Sequence, residues 1–302
     1  MVESEISTKE MIKTFKMEEN QSNNVCVVIL KVDNKEFNLQ TKSCDIRLFG
    51  KTMTEWVANA VFDADIRYAD YNFGEDFLTV VKLNCNPQSK YTCVFFSDTP
   101  LLERKTYLQI MEYFKTKSLN ALKLTRGYVF KTDFLMTIDQ MLTTQTQYFE
   151  EEDFITCYNL KQTAMVRDVL KTRIQNYFMK NGVDILDLAT TFVDADVQIG
   201  ADTIICPFVN IQNGAIIEKN VRIGSNTRVS NSVVCQNSKL DGCTIINSFV
   251  GKNCNIGEGV IIKNNAKIED DVDIPPYAVI DGVVVDKNSK IKSFMHYKGR
   301  ED

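Results

Sequence analysis

Residues 193–229 read VDADVQIGADTIICPFVNIQNGAIIEKNVRIGSNTRV, with an aliphatic residue on every sixth position. Val193, Ile199, Ile205, Ile211, Ile217, Ile223 and Val229 keep that spacing without a slip. Four residues after each comes a small or β-branched one: Val197, Thr203, Val209, Ala215, Val221, Thr227 and Val233. Neither the helical nor the strand period gives six. Hexapeptide repeats of this kind build a left-handed parallel β-helix of triangular section. Each side turns one large side chain inward with a compact one beside it. No repeat buries that face alone, so stacked coils share one core. The beat resumes at Val250, Ile256, Ile262, Ile268 and Ile274, and the span 193–280 predicts roughly five coils.

Between these runs the step tightens: Val229 to Val234 and Ile245 to Val250 are five residues each, which reads as shortened sides within one prism. Asn and Gly crowd the expected corners (Asn213, Gly214, Asn220, Asn226, Asn231, Asn253, Asn264, Asn265), where left-handed backbone is easiest for them. Pro275 and Pro276 remove two backbone donors, and the repeats are expected to close there.

The 302 residues predict two domains, and 44% hydrophobic content suffices for two cores. A net charge of −5 gives no reason for nucleic acid or a membrane surface as partner. Nine cysteines, an odd number without a C-x-x-C pair, fit reduced thiols in a cytoplasm. Residues 1–24 form a polar leader without the apolar core of a signal peptide, and no stretch is long enough to span a bilayer. Residues 25–182 then alternate strand and helix patterns. Strands are expected at 24–32, 77–83, 91–97 and 121–130, and helices at 53–62, 105–117 and 166–179. Such alternation predicts a mostly parallel sheet covered on both faces. The short link NCNPQSK at 84–90 predicts that part of it is antiparallel. The β-helix is placed at 183–285 and a tail at 286–302.

Four stretches resemble a known family. VLKTRIQNYFMKNGVDILDLATTFVDADVQIG (169–200) is similar to the junction helix and first repeat of the bacterial bifunctional N-acetylglucosamine-1-phosphate uridyltransferase/glucosamine-1-phosphate acetyltransferases. FGKTMTEWV (49–57), FFSDTPLL (95–102) and RGYVF (126–130) resemble segments of that family's catalytic α/β domain. The resemblance spans most of 25–282. It implies an α/β nucleotidyltransferase-like (Rossmann-like) domain before the left-handed β-helix, in a shortened member of the sugar-1-phosphate nucleotidyltransferases. Carried over residue by residue, it implies that Asp98 holds Mg²⁺. Asn159 follows as the second metal ligand, one place out of register. Lys42 corresponds to the phosphate-meeting lysine, at a spacing one residue too long, and Gly127 to a substrate-binding glycine.

The departures carry as much chemistry as the matches. The family's first strand runs into a glycine-rich loop whose N–H groups wrap the nucleotide phosphates. Here VVILKVDNKEFNLQTKSCDIRLFGK (27–51) has no glycine before Gly50, and Asp33 and Glu36 add negative charge. The base-reading segment is absent and the sugar loop is cut to one helix and strand. Asp98 therefore has two readings. It is a Mg²⁺ ligand, or it caps the turn before the following helix. Acyl transfer in the family uses a histidine base within the coils. The single histidine, His296, stands in the tail and reads as solvated. The acidic run 150–153 reads as a solvated loop.

Two functions remain. One is a non-catalytic scaffold or sensor related to UDP-N-acetylglucosamine metabolism. The other is a minimal Mg²⁺-dependent nucleotidyltransferase on a hexosamine 1-phosphate. Neither uridyl transfer nor acetyl transfer is expected at ordinary rates. A bound nucleotide or sugar nucleotide is the expected small-molecule partner. Ile204, Phe208, Ile216, Val234, Phe249 and Ile261 are expected to point outward from the coils. With the family's habit, that patch predicts a homotrimer through the β-helix.

Overall fold

Val25–Val32 (β1) is a β-branched run that alternates its side chains across a sheet: Cys26, Val28 and Leu30 enter one core, Val27 and Ile29 the other. The computed structural model describes residues 24–37, 40–72, 74–141 and 145–299 of the chain, so the expected leader lies almost wholly outside them. In chain order β1 is followed by the short pair Arg47–Leu48 (β2) and Lys51–Thr52 (β3), then helix Met53–Ala60 (α1) and strand Asp65–Tyr71 (β4). Helix Phe77–Asn84 (α2), strand Tyr91–Phe96 (β5) and helix Arg104–Thr116 (α3) come next. Strands Ala121–Leu124 (β6) and Gly127–Lys131 (β7), helix Thr132–Thr137 (α4) and strand Gln145–Thr146 (β8) complete this part. The sheet order is β4-β1-β5-β7-β6-β8. β1 pairs in parallel with β4 and β5, whereas β7 runs antiparallel to both β5 and β6. One face is covered by Val57 and Ala60 of α1 and Tyr107, Ile110, Met111 and Phe114 of α3. The other is covered by Leu78 and Val81 of α2 and Leu135 of α4.

Three segments differ from the sequence reading. Residues 77–83, expected as a strand, are helix α2: the Thr79 N–H donates to the Asp76 carboxylate at 2.8 Å, and Leu78 and Val81 bury one helical face. The expected strand 121–130 is the hairpin β6–β7, which turns at Thr125 and Arg126. β4, with no strong apolar alternation, was not anticipated. It is an edge strand on which Arg67, Tyr68 and Asp70 are exposed and Ala69 alone is buried.

The chain divides into two compact units, residues 1–166 and 167–302, with helix Leu160–Lys180 (α5) running from one into the other. The second unit is a parallel β-helix. Its three sheets hold strands that begin at Phe192, Gln198 and Asp184 and recur up to Val279–Asp281, Val284–Val285 and Asp273–Ile274, with His296–Lys298 added last. Six strands on two sides and seven on the third make about six turns: the span 193–280 holds about the five expected, and Asp184–Ile185, Val284–Val285 and His296–Lys298 add one more. The coils run straight past Pro275 and Pro276, and the tail contributes the His296–Lys298 strand, so neither ends the prism. The inward rows are dry: Ile205, Ile211, Ile223, Val229, Ile245, Val250 and Ile262 have no exposed surface. Each such side chain stabilises the stack by roughly 1.5–3 kcal/mol.

Register records the shortened sides. Asn210 pairs with Arg228, eighteen residues on, but Arg228 pairs with Thr244, sixteen on. In the tight corners a serine hydroxyl replaces the lost length. Ser232 and Ser248 donate to the carbonyls of Ser230 and Ile246, each at 2.8 Å, and the Ser248 N–H donates to the Ser232 hydroxyl at 3.0 Å. The shortening also moves Val234 inside. It is fully buried between Ile217 and Val250, not outward as expected. The corner asparagines all adopt left-handed backbone, with φ between 44° and 61° at Asn213, Asn220, Asn226, Asn231, Asn253, Asn264 and Asn265. One corner carries a row of side-chain amides. Asn220 donates to Asn237 (2.9 Å), Asn237 to Asn253 (3.1 Å) and Asn253 to Asp271 (2.9 Å). Among the described residues no helix is long and apolar enough to cross a membrane.

Candidate functional site

β1 connects first to β4 on one side and later to β5 on the other, so the carboxyl ends of β1 and β5 form a switch point of the kind where α/β sheets bind ligands. The segment leaving β1 folds back on itself there. The Ser43 hydroxyl donates to the Val32 carbonyl (3.0 Å) and accepts the Asn34 N–H (2.8 Å), while the Ser43 N–H donates to Asp33 Oδ1 (3.0 Å). Glu36 N–H is taken by Asn34 Oδ1, Phe37 N–H by the Asn34 carbonyl, and the Asp45 and Ile46 N–H groups by Lys42 and Ser43 carbonyls. The Val32 N–H in turn donates to the Ser97 hydroxyl at 3.0 Å, tying this segment to the end of β5.

Asp98 follows Ser97 and is 5% exposed. Arg126 grips it with two prongs: NH2 donates to Oδ2 at 2.6 Å and Nε to Oδ1 at 3.2 Å. The guanidinium also lies 4.0 Å over the Phe96 ring. Burial raises the Asp98 carboxyl above the usual carboxylate range, outweighing the lowering from Arg126. With both oxygens engaged by a cation, the donor set does not suit a divalent metal. Among the described residues no group of three or more His, Cys, Asp or Glu comes together to hold one. Asp153, in the run expected to be solvated, is 1% exposed and accepts the Glu103 N–H at the start of α3.

Gly127 sits beside this pair. Its φ is +140°, and a Cβ would lie 2.5 Å from the Val94 carbonyl oxygen, so the hairpin next to β5 requires glycine. The Asp98 carbonyl accepts the Cys157 N–H at 2.8 Å, which brings the segment before α5 close. Asn159 itself accepts the Gln162 N–H at 3.1 Å as that helix begins. Lys42 stands 3.6 Å from Asp70, both side chains more than half exposed. Asp98 and Gly127 are thus brought together through Arg126, whereas Asn159 is engaged at the start of its own helix and Lys42 with Asp70. Arg126, Asp33 and Ser43 were not anticipated as site-forming groups. The signal for Arg126 was its place at the head of the RGYVF stretch. His296, expected as solvated, lies 3.3 Å from Asp281, which also meets Lys263 at 3.3 Å.

Comparison with known proteins bears on the β-helix. Residues 196–231 match the family model described as bacterial transferase hexapeptide (six repeats). The bifunctional protein GlmU of Syntrophomonas wolfei is 31% identical over 141 residues, 47% of this chain and 31% of that protein. GlmU of Clostridioides difficile and of Clostridium botulinum strain Langeland are 30% and 33% identical over 138 residues, 46% of this chain and 30% of each. The C-terminal half is thus similar to part of these GlmU proteins. The match takes in less than a third of each relative's length, so the GlmU-like assignment concerns the β-helix and its approach, not the relatives' whole activity. A 4-diphosphocytidyl-2C-methyl-D-erythritol synthase structure from Anaerococcus prevotii aligns with 49% of this chain and 99% of its own. At 8% identity and a TM-score of 0.37, that likeness carries no argument.

Proposed function

We propose that this GlmU-like chain is a non-catalytic relative of the sugar-1-phosphate nucleotidyltransferases, a scaffold or sensor in sugar-nucleotide metabolism that keeps the α/β fold without its transfer chemistry. The observation that carries this is how the described residues after β1, 33–37 and 40–46, hydrogen-bond to one another. Nucleotidyl transfer rests on positioning and on charge stabilisation, and the phosphate cradle supplies both. Here the N–H groups of Asn34, Glu36, Phe37 and Ser43 are spent on the segment's own acceptors, one of them the Asp33 carboxylate. Opening them to a triphosphate breaks those bonds and brings the phosphates against Asp33 and Glu36. A cytoplasmic setting agrees with nine free, buried cysteines. Exposed Phe208, Ile216 and Ile261 on the coils support a homotrimer. The rival reading, a minimal transferase, draws only on the buried position of Asp98 beside Gly127.

The test is paired. Purified protein should give no uridyl transfer from UTP to N-acetylglucosamine 1-phosphate above background. In a thermal-shift panel, a UDP-sugar should raise the melting point more than UTP does, since only a ligand of the native state raises it. Transfer at ordinary enzymatic rates, abolished by Asp98→Ala, overturns the reading.

A further inference from the structure

We propose that Arg126 is the resident cation of this site, holding Asp98 where a divalent metal would otherwise sit, so that the chain takes no metal there. The inference rests on the resemblance that makes Asp98 the metal aspartate, and it deepens the non-catalytic reading.

Five observations converge on it. The pairing is two-pronged and uses both carboxylate oxygens, the geometry in which a guanidinium binds a carboxylate best. The carboxylate is 5% exposed, so a metal ion arriving with its waters has no open approach to it. Mg²⁺ keeps several waters and dehydrates reluctantly. The guanidinium is fixed from its other side by the Phe96 ring at 4.0 Å. Its backbone is fixed too, because the β6–β7 turn depends on Gly127, where no side chain fits against Val94. Swinging away would cost Arg126 both the carboxylate and the ring contact. The second ligand implied by the resemblance, Asn159, spends its side-chain Oδ1 on the Gln162 N–H. Charge neutralisation that a dissociable ion would give is thus built into the covalent chain.

Mn²⁺ titration of the full-length protein, followed by paramagnetic broadening of backbone amides, tests this directly. In the wild type, amides of residues 96–99 should keep their intensity up to millimolar Mn²⁺. Broadening elsewhere on this acidic chain leaves the proposal standing. Arg126→Ala should lower the melting temperature on the order of 10 °C by stranding a buried carboxylate. It should also gain saturable broadening at 96–99, and added Mn²⁺ should restore part of its melting temperature. The double variant Asp98→Asn/Arg126→Ala should lose that gain. Should Arg126→Ala not fold, the wild-type titration decides alone: saturable broadening at 96–99 that Asp98→Asn abolishes overturns the proposal. A uridyl-transfer assay with and without EDTA separates the two readings. Turnover indifferent to EDTA sinks the non-catalytic reading and leaves Arg126 as resident cation. Absent turnover with Mn²⁺ bound at Asp98 does the reverse.

Discussion

Gly127 and Asp98 mark the two ends of what single residues reveal. A glycine beside a strand hints at backbone need, and the structure supplies the reason in the Val94 carbonyl. Gly127→Ala should destabilise the protein by roughly 2–4 kcal/mol, combining a left-handed strain with a steric overlap. Urea unfolding measures it, and a cost below about 0.5 kcal/mol would contradict the geometry. The Asp98–Arg126 pair was not legible, because its partners stand 28 residues apart and meet only once β7 is laid against β5. Asp63 and Arg104 form a second two-pronged pair, and the Arg104 contact holds the Asp63 carboxyl below its ordinary 3.8. A depressed acid stabilises the fold at pH above its unfolded value and loses that contribution as pH falls through the folded one. With the side chains 31% and 34% exposed, Asp63→Asn should cost only about 0.5–1 kcal/mol at neutral pH. Its gap from wild type should close on acidification below pH 3.8. A gap that widens in acid would refute the assignment.

At the scale of elements, what was legible followed from how local the signal is. The six-residue period repeats itself, so a misjudged residue is corrected by its neighbours, and the coils were clear from sequence. Residues 77–83 are a short apolar run whose period fits helix or strand equally, and only the Asp76 cap breaks the tie. The shortened coil corners were visible as lost residues, but their compensation was not. Ser232 occupies a row where Ala215 and Ala266 serve in longer coils, and its hydroxyl receives the buried Ser248 N–H. Ser232→Ala strands that donor and should cost about 1–3 kcal/mol, measurable by chemical denaturation. A neutral effect would mean that the tight corner does not depend on the hydroxyl.

For the whole molecule, exposed apolar side chains on the coils argue for assembly. Phe208 is 61% exposed, and Ile216 and Ile261 lie on outward strand positions at 37% and 38%. Light scattering should return about three times the 34.5 kDa chain mass. A mass near 34.5 kDa in dilute buffer would defeat the trimer. The row of corner amides has a further consequence. Every donor in it points toward the same end, and the last member, Asp271, is a group that can only accept. The row thus has a sense, and a carboxylate is harmless at its terminus but not within it. Slow loss of ammonia from Asn237, the chemistry by which proteins age, would set an oxygen against the Asn253 oxygen. Asn237→Asp should therefore melt earlier than Asp271→Asn, and equal melting points would argue against it. On this view the corner registers the molecule's age, one coil at a time.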